Sequence, residues 1–179
     1  GIRAGTILLE PVVGFEMRYD DNIFREQRNR NASAIAIGRL GATAQTDWRR
    51  HSVELGAGVE VGRFTSSSPD DYVDADLSGT GILDISRATR LRLRAGAIRR
   101  HERRGGDDAP TTLSGRVKGL ATFAELTGQY APGRLKVQPV IGVEHRNFSD
   151  RSLTGGGVSG QDDRDRTILS GGVDLGYNL

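Results

Sequence analysis

His51–Phe64 reads HSVELGAGVEVGRF. Val53, Leu55, Ala57, Val59 and Val61 fall on one face of an extended chain. Ser52, Glu54, Gly56, Gly58, Glu60 and Gly62 fall on the other. Successive side chains of a strand point to opposite faces, so this is a strand with one apolar and one polar side, held over the whole stretch. Strands of globular proteins run to about 5–6 residues, whereas a tilted strand crossing a membrane needs about 9–11. The stretch therefore predicts one wall strand of a membrane-spanning β-barrel.

The same alternation recurs on both sides of it. Before it, Ile7 to Asp20 sets Leu9, Pro11, Val13, Phe15, Met17 and Tyr19 against Glu10, Val12, Gly14, Glu16 and Arg18. Pro11 gives up one ladder hydrogen bond and belongs near a strand end or at an edge. Ala32 to Thr46 follows a polar loop at 21–31. Ala34, Ala36, Leu40, Ala42 and Ala44 are assigned outward and Arg39, Thr43 and Gln45 inward, with Ile35 and Ile37 out of phase. After it, TSSSPDD at 65–71 is a loop by composition.

Tyr72 to Ser86 is the fourth strand, and a turn at 87–89 leads to a fifth that ends at about His101. A three-residue turn would set Asp84 opposite Arg92. Arg103 to Thr111 reads as a polar loop. A sixth strand lies within Thr112 to Tyr130, and Ala131-Pro132-Gly133-Arg134 is a turn. Leu135 to Phe148 is the seventh strand, Asn147 to Arg164 a long Gly- and Asp-rich loop, and Thr167 to Leu179 the eighth strand.

The connections thus alternate long and short, and the aromatic residues gather near the strand ends. Tyr19, Phe64, Tyr72 and Phe148 lie by the long loops; Trp48, Tyr130 and Tyr177 lie by the short turns or at the last strand's end. Outer-membrane barrels pair short turns on one side with long loops on the other, between two aromatic girdles. The expected fold is an all-β, antiparallel, up-and-down transmembrane barrel with about eight strands visible, or half of a larger barrel. Residues 1–179 are expected to form one domain.

Bulk composition narrows the function. The 179 residues include 25 Gly and 5 Pro, and no apolar run has the length of a transmembrane helix. Cysteine is absent, which excludes disulfides, Cys-zinc sites and Cys nucleophiles. A net charge of +2 is too small for a nucleic-acid footprint. The cations are nearly all Arg, with only Lys118 and Lys136 as Lys. Arg forks pair well with carboxylates or with lipid phosphates.

A local signature is more specific. Tyr19-Asp20-Asp21-Asn22-Ile23-Phe24 closes the first strand. Trp48 and His51 flank a turn, Gly62-Arg63-Phe64 ends a strand, and His101-Glu102-Arg103-Arg104-Gly105 opens a loop. In this order and spacing they resemble the outer-membrane β-barrel porins encoded beside exopolysaccharide synthesis genes. The resemblance spans roughly the first 150 residues. It implies a bacterial outer-membrane location, with membrane lipid and lipopolysaccharide around the wall, the barrel-insertion machinery as a partner, and a polar solute or exported polysaccharide as cargo. No cofactor is expected. Members look about twice this length, and this chain ends in Gly-Tyr-Asn-Leu rather than an aromatic residue; the expectation is half of a longer barrel or a shortened relative.

The residues assigned to a lumen are Glu10, Glu16, Arg18, Arg39, Glu54, Glu60, Asp74, Asp76, Asp84, Arg92, Arg94, Glu125, Lys136, Glu144, Arg146 and Asp174. In an eight-stranded barrel they would fill the interior, and in one of about sixteen they would line a wet channel. His51, His101 and His145 lack metal spacing. Gly155-x-Gly157-x-x-Gly160 matches a dinucleotide fingerprint by letters only, because it opens no helix. The run Asp162-Asp163-Arg164-Asp165 reads as a solvated loop. No nucleophile elbow, HExxH or P-loop occurs, and no residue is assigned a catalytic role. Three readings remain open: a conducting barrel; a non-conducting structural or adhesive barrel acting through its long loops; and a soluble β-domain that self-assembles through edge strands.

Overall fold

The computed structural model describes residues 1–102 and 113–177. Its strands are β1 (Ile2–Ala4), β2 (Ile7–Asp20), β3 (Ser33–Thr46), β4 (His51–Phe64), β5 (Tyr72–Asp84), β6 (Thr89–His101), β7 (Lys118–Tyr130), β8 (Leu135–Phe148), β9 (Arg151–Ser152), β10 (Val158–Ser159) and β11 (Arg166–Tyr177). Nine of them make one up-and-down antiparallel sheet in the order β1-β2-β3-β4-β5-β6-β7-β8-β11, and β9 and β10 pair separately. At about 3.3–3.4 Å per residue the long strands reach roughly 40–48 Å. Tilted by about 45°, that length covers a hydrocarbon layer of about 30 Å.

The eight long strands read from alternation are all present. The sheet adds β1, which folds back on Ile7–Leu9 through Gly5. Gly5 sits at φ +61°, a conformation that side-chain-bearing residues rarely adopt. The segment read as one long loop before the last strand contains the β9–β10 hairpin and a one-turn 3-10 helix at Asp162–Arg164. The sheet is also open. β2 is covered by β1 only over Ile7–Leu9, and β11 pairs with β8 alone among the described residues.

One register differs from expectation. β5 stops at Asp84, because the backbone N–H groups of Ile85 and Ser86 both donate to the Thr89 carbonyl and close the turn early. The connection is therefore 85–88, and Asp84 stands opposite Arg90, not Arg92. Arg90 Nε lies 2.5 Å from Asp84 Oδ1.

The pairing registers sort every long strand into two faces. One carries Val13, Phe15, Leu40, Leu55, Val59, Leu77, Leu93, Leu126, Ile141, Leu169, Val173 and Leu175. These side chains are open to the surroundings, Val13 and Leu169 at 79% of full exposure. No second layer of described residues covers them. The Asp, Glu, Lys and Arg residues on this face of the long strands are Arg63, Arg99 and Lys118, all at the long-loop end. Water-soluble sheets bury such a face; a membrane wall exposes it.

Three aromatic rings on the opposite face fix where neighbouring strands meet. Gly62 opposes Tyr72, Gly96 opposes Phe123 and Gly119 opposes Phe148. A Cβ added to these glycines would lie 2.1, 2.8 and 3.1 Å from the ring. Gly62 and Gly96 are seats that only a missing side chain leaves free, and Gly119 is a close-fitting one.

The described core is small and lies at the long-loop end. Ile23, Ile35, Ile37, Tyr72, Leu113 and Val117 are buried there. Ile35 and Ile37, which break the alternation of β3, thus point to the polar face and are covered by loop residues.

Candidate functional site

All sixteen residues assigned to a lumen fall on one face of the sheet by register. At the long-loop end they are cross-linked from β2 to β6. Arg18 Nη2 donates to Glu16 Oε1 at 2.7 Å. Arg39 bridges two carboxylates, with Nη2 2.8 Å from Glu16 Oε2 and Nε 2.6 Å from Glu60 Oε2. The Tyr72 hydroxyl donates to Glu60 Oε1 at 2.7 Å. The Tyr72 ring stacks on His101 with centroids 3.8 Å apart.

Beyond Arg99 the β5–β6 register breaks. Continued pairing would bring Arg100 opposite Asp74, but His101 meets it instead: its backbone N–H donates to Asp74 Oδ1 at 2.9 Å, and Nδ1 lies 2.9 Å from both carboxylate oxygens. Arg100 reaches Asp76 at 3.5 Å. Such a break re-aims a side chain, as a bulge does. It turns a residue that strict alternation would place on the apolar wall towards the polar face.

The loops close over this network. Arg116, buried, sets its guanidinium 4.7 Å from the Phe64 ring centroid and 5.8 Å from that of Tyr72, and Nε lies 3.5 Å from Asp70 Oδ1. The 113–117 segment is tied to the β9 hairpin through the Leu113–Leu153 bridge and a bond from Ser114 N–H to the Ser152 carbonyl at 2.8 Å. Arg164 grips Glu102 with both Nη atoms and lies 4.1 Å from the Phe148 centroid. Beneath the loops is a cavity of about 390 Å³, within the range of about 300–1,000 Å³ for small-molecule sites. Arg18, Ile37, Arg39, Glu60, Asp74 and Arg116 are among its walls.

A charged, cross-linked face opposite an apolar exposed one, on strands of membrane-crossing length, is the arrangement of an outer-membrane barrel wall. The family model described as "Putative beta-barrel porin 2" matches residues 1–179. The chain belongs to this family. Comparison with curated proteins and with solved structures returned no match.

Within this β-barrel porin chain, the other polar-face residues are less connected. Glu144 pairs with Arg146. Arg94 lies 5.5 Å from the Phe123 centroid, and Arg92 stands between Ile82 and Thr127. Glu54, Glu125, Lys136 and Asp174 share the face without joining the network.

The residues assigned to aromatic girdles divide. Tyr19, Tyr130 and Tyr177 point to the apolar side and are exposed, and Trp48 is exposed in a short turn. Phe64, Tyr72 and Phe148 point to the polar face instead. Their height along the strand suits a girdle, but their parity does not, and Tyr72 and Phe148 rest against Gly62 and Gly119.

Residues outside the lumen set are accounted for locally. His51 Nδ1 accepts from Asp84 N–H, and His145 contacts the Thr167 hydroxyl. Gly156 and Gly157 turn the β9–β10 hairpin at positive φ and open no helix. Asp165 accepts from Phe148 N–H and from Asn147 Nδ2. Among the described residues no group of three or more His, Asp or Glu could hold a metal ion. The Arg103–Thr111 loop lies outside the described residues, as do Asn178 and Leu179. Sequence reasoning did not find Asp70, Arg116, Leu113 and Val117. These residues lie in loops, where no period marks the buried side.

Proposed function

We propose that this protein is a bacterial outer-membrane β-barrel whose polar face lines a conduit for a polar solute, such as an exported polysaccharide, and that the whole chain acts as one domain. The observation that carries this is the wall. Eight strands side by side expose Val, Leu, Ile, Ala and Gly without a carboxylate, while the other face of the same strands holds every carboxylate and all the cations but Arg63, Arg99 and Lys118 at the long-loop end. Lipid is the solvent in which that division is favourable. The free edges at β2 and β11 support further strands in the working assembly, because hydrocarbon offers backbone N–H and C=O groups no partner. Lipid and lipopolysaccharide would then surround the wall, and insertion machinery would deliver it.

Planar bilayers test the reading. Insertion with discrete conductance steps supports a conduit, and a chain that remains in water without detergent overturns the membrane assignment. A second reading, a non-conducting structural or adhesive barrel, is favoured by the loops packed over the network around Arg39 and Arg116. Insertion without any conductance would select it.

A further inference from the structure

The apolar wall carries a shallow groove of about 520 Å³ running across β3–β7, with Asp76 of the polar face also among its lining residues. Ala57 and Ala97 keep it open between Leu40, Val59, Leu77 and Leu120, and Arg99 stands among its lining residues. Arg99 lies at the long-loop end of β6, opposite Leu120. Lys118, two residues before Leu120 on β7 and so diagonal to Arg99, exchanges hydrogen bonds through its backbone with Ser149, two residues before Arg151. The side chains of Arg99 and Lys118 have no hydrogen bond or ion pair among the described residues. Arg151 Nε is buried without a hydrogen-bond partner. Three cations drawn together repel one another unless an anion joins them.

We propose that this groove seats an acyl chain of a phosphate-bearing lipid and that Arg99, Lys118 and Arg151 hold its phosphate. The proposal rests on the membrane reading above. Its two halves fit one amphiphile: an apolar trough within the wall and a charged head at its rim, where Lys and Arg stems lie along apolar surface with their heads in the polar layer. A second copy docking through the same wall fits less well, because that face of the long strands carries no carboxylate by register and Asp76, the carboxylate among the groove's lining residues, is already paired with Arg100.

The full chain in detergent micelles is exposed to dioleoyl phosphatidic acid, to dioleoylglycerol and to inorganic phosphate, and retained ligand is counted by native mass spectrometry. The expected result is one phosphatidic acid per chain, retained about tenfold better than dioleoylglycerol, with no retained inorganic phosphate. Joint replacement R99Q/K118Q/R151Q should remove the preference, and A97F, which fills the trough, should weaken retention of both lipids. Equal retention of the two lipids, or a preference unchanged in the triple variant, overturns the site. Inorganic phosphate held as well as the lipid overturns the role of the groove. A lipid-free dimer that A97F splits would assign the groove to a second copy and also overturns it. A chain that stays soluble without detergent defeats the membrane reading itself, which separates that failure from failure of the site.

Discussion

At the scale of single residues, the polar face depends on close contacts that small changes should disturb. Tyr72 is buried, hydrogen-bonded to Glu60 and stacked on His101. Tyr72→Phe keeps the ring and removes the hydroxyl. It should cost about 1.5–3 kcal/mol in urea unfolding from micelles, the net worth of a hydrogen bond to a carboxylate. Gly62→Ala should cost that and about 1–3 kcal/mol more, because the new methyl displaces the ring and with it both contacts. If the two variants unfold at the same urea concentration, the ring does not need its seat. Leu113 is buried under the loops. Leu113→Ala should cost about 2–5 kcal/mol locally and expose the 113–117 segment to a protease that leaves the parent chain intact.

At the scale of elements, the strands were legible in the sequence and the loops were not. Alternation over Ile7–Asp20, His51–Phe64 and Leu135–Phe148 gave their bounds and faces, because a period of two survives whatever the strand packs against. Ile35 and Ile37 broke the pattern for a tertiary reason: loop residues cover that end of the polar face. The Asp84 pairing was misplaced because one turn closes earlier than composition suggests. Phe64, Tyr72 and Phe148 were grouped by height, and only the register revealed which way they point. The faces make opposite demands on substitution. Leu77→Arg, on the wall, should lower stability in lipid by about 2–4 kcal/mol near the bilayer midplane. Thr80→Arg, on the polar face of the same strand, should change it far less. Comparable effects of the two in lipid vesicles would mean that both faces meet the same solvent.

At the scale of the whole molecule, the open sheet predicts a gradient of protection. β5 is paired on both sides, whereas β11 is paired on one. Hydrogen exchange on the chain in micelles should be slowest in β4–β6 and faster in β11 and in β2 beyond Leu9, following local stability. In a working assembly that completes the sheet, β2 and β11 should become as protected as β5. A gradient that persists in the membrane would show that the edges stay free.

The three rings against Gly62, Gly96 and Gly119 also bear on how the sheet finds its pairing. A strand that slides by two residues keeps its apolar side towards lipid, so burial alone is a weak guide to alignment here. Sliding β5 by two against β4 would carry the Tyr72 ring off Gly62 to Glu60 or Phe64, and neither leaves it a place. Phe123 and Phe148 impose the same check on their own pairs. The aromatics thus act as alignment pegs, spread across the sheet from β4 to β8, that reject misaligned hairpins which the lipid itself would accept.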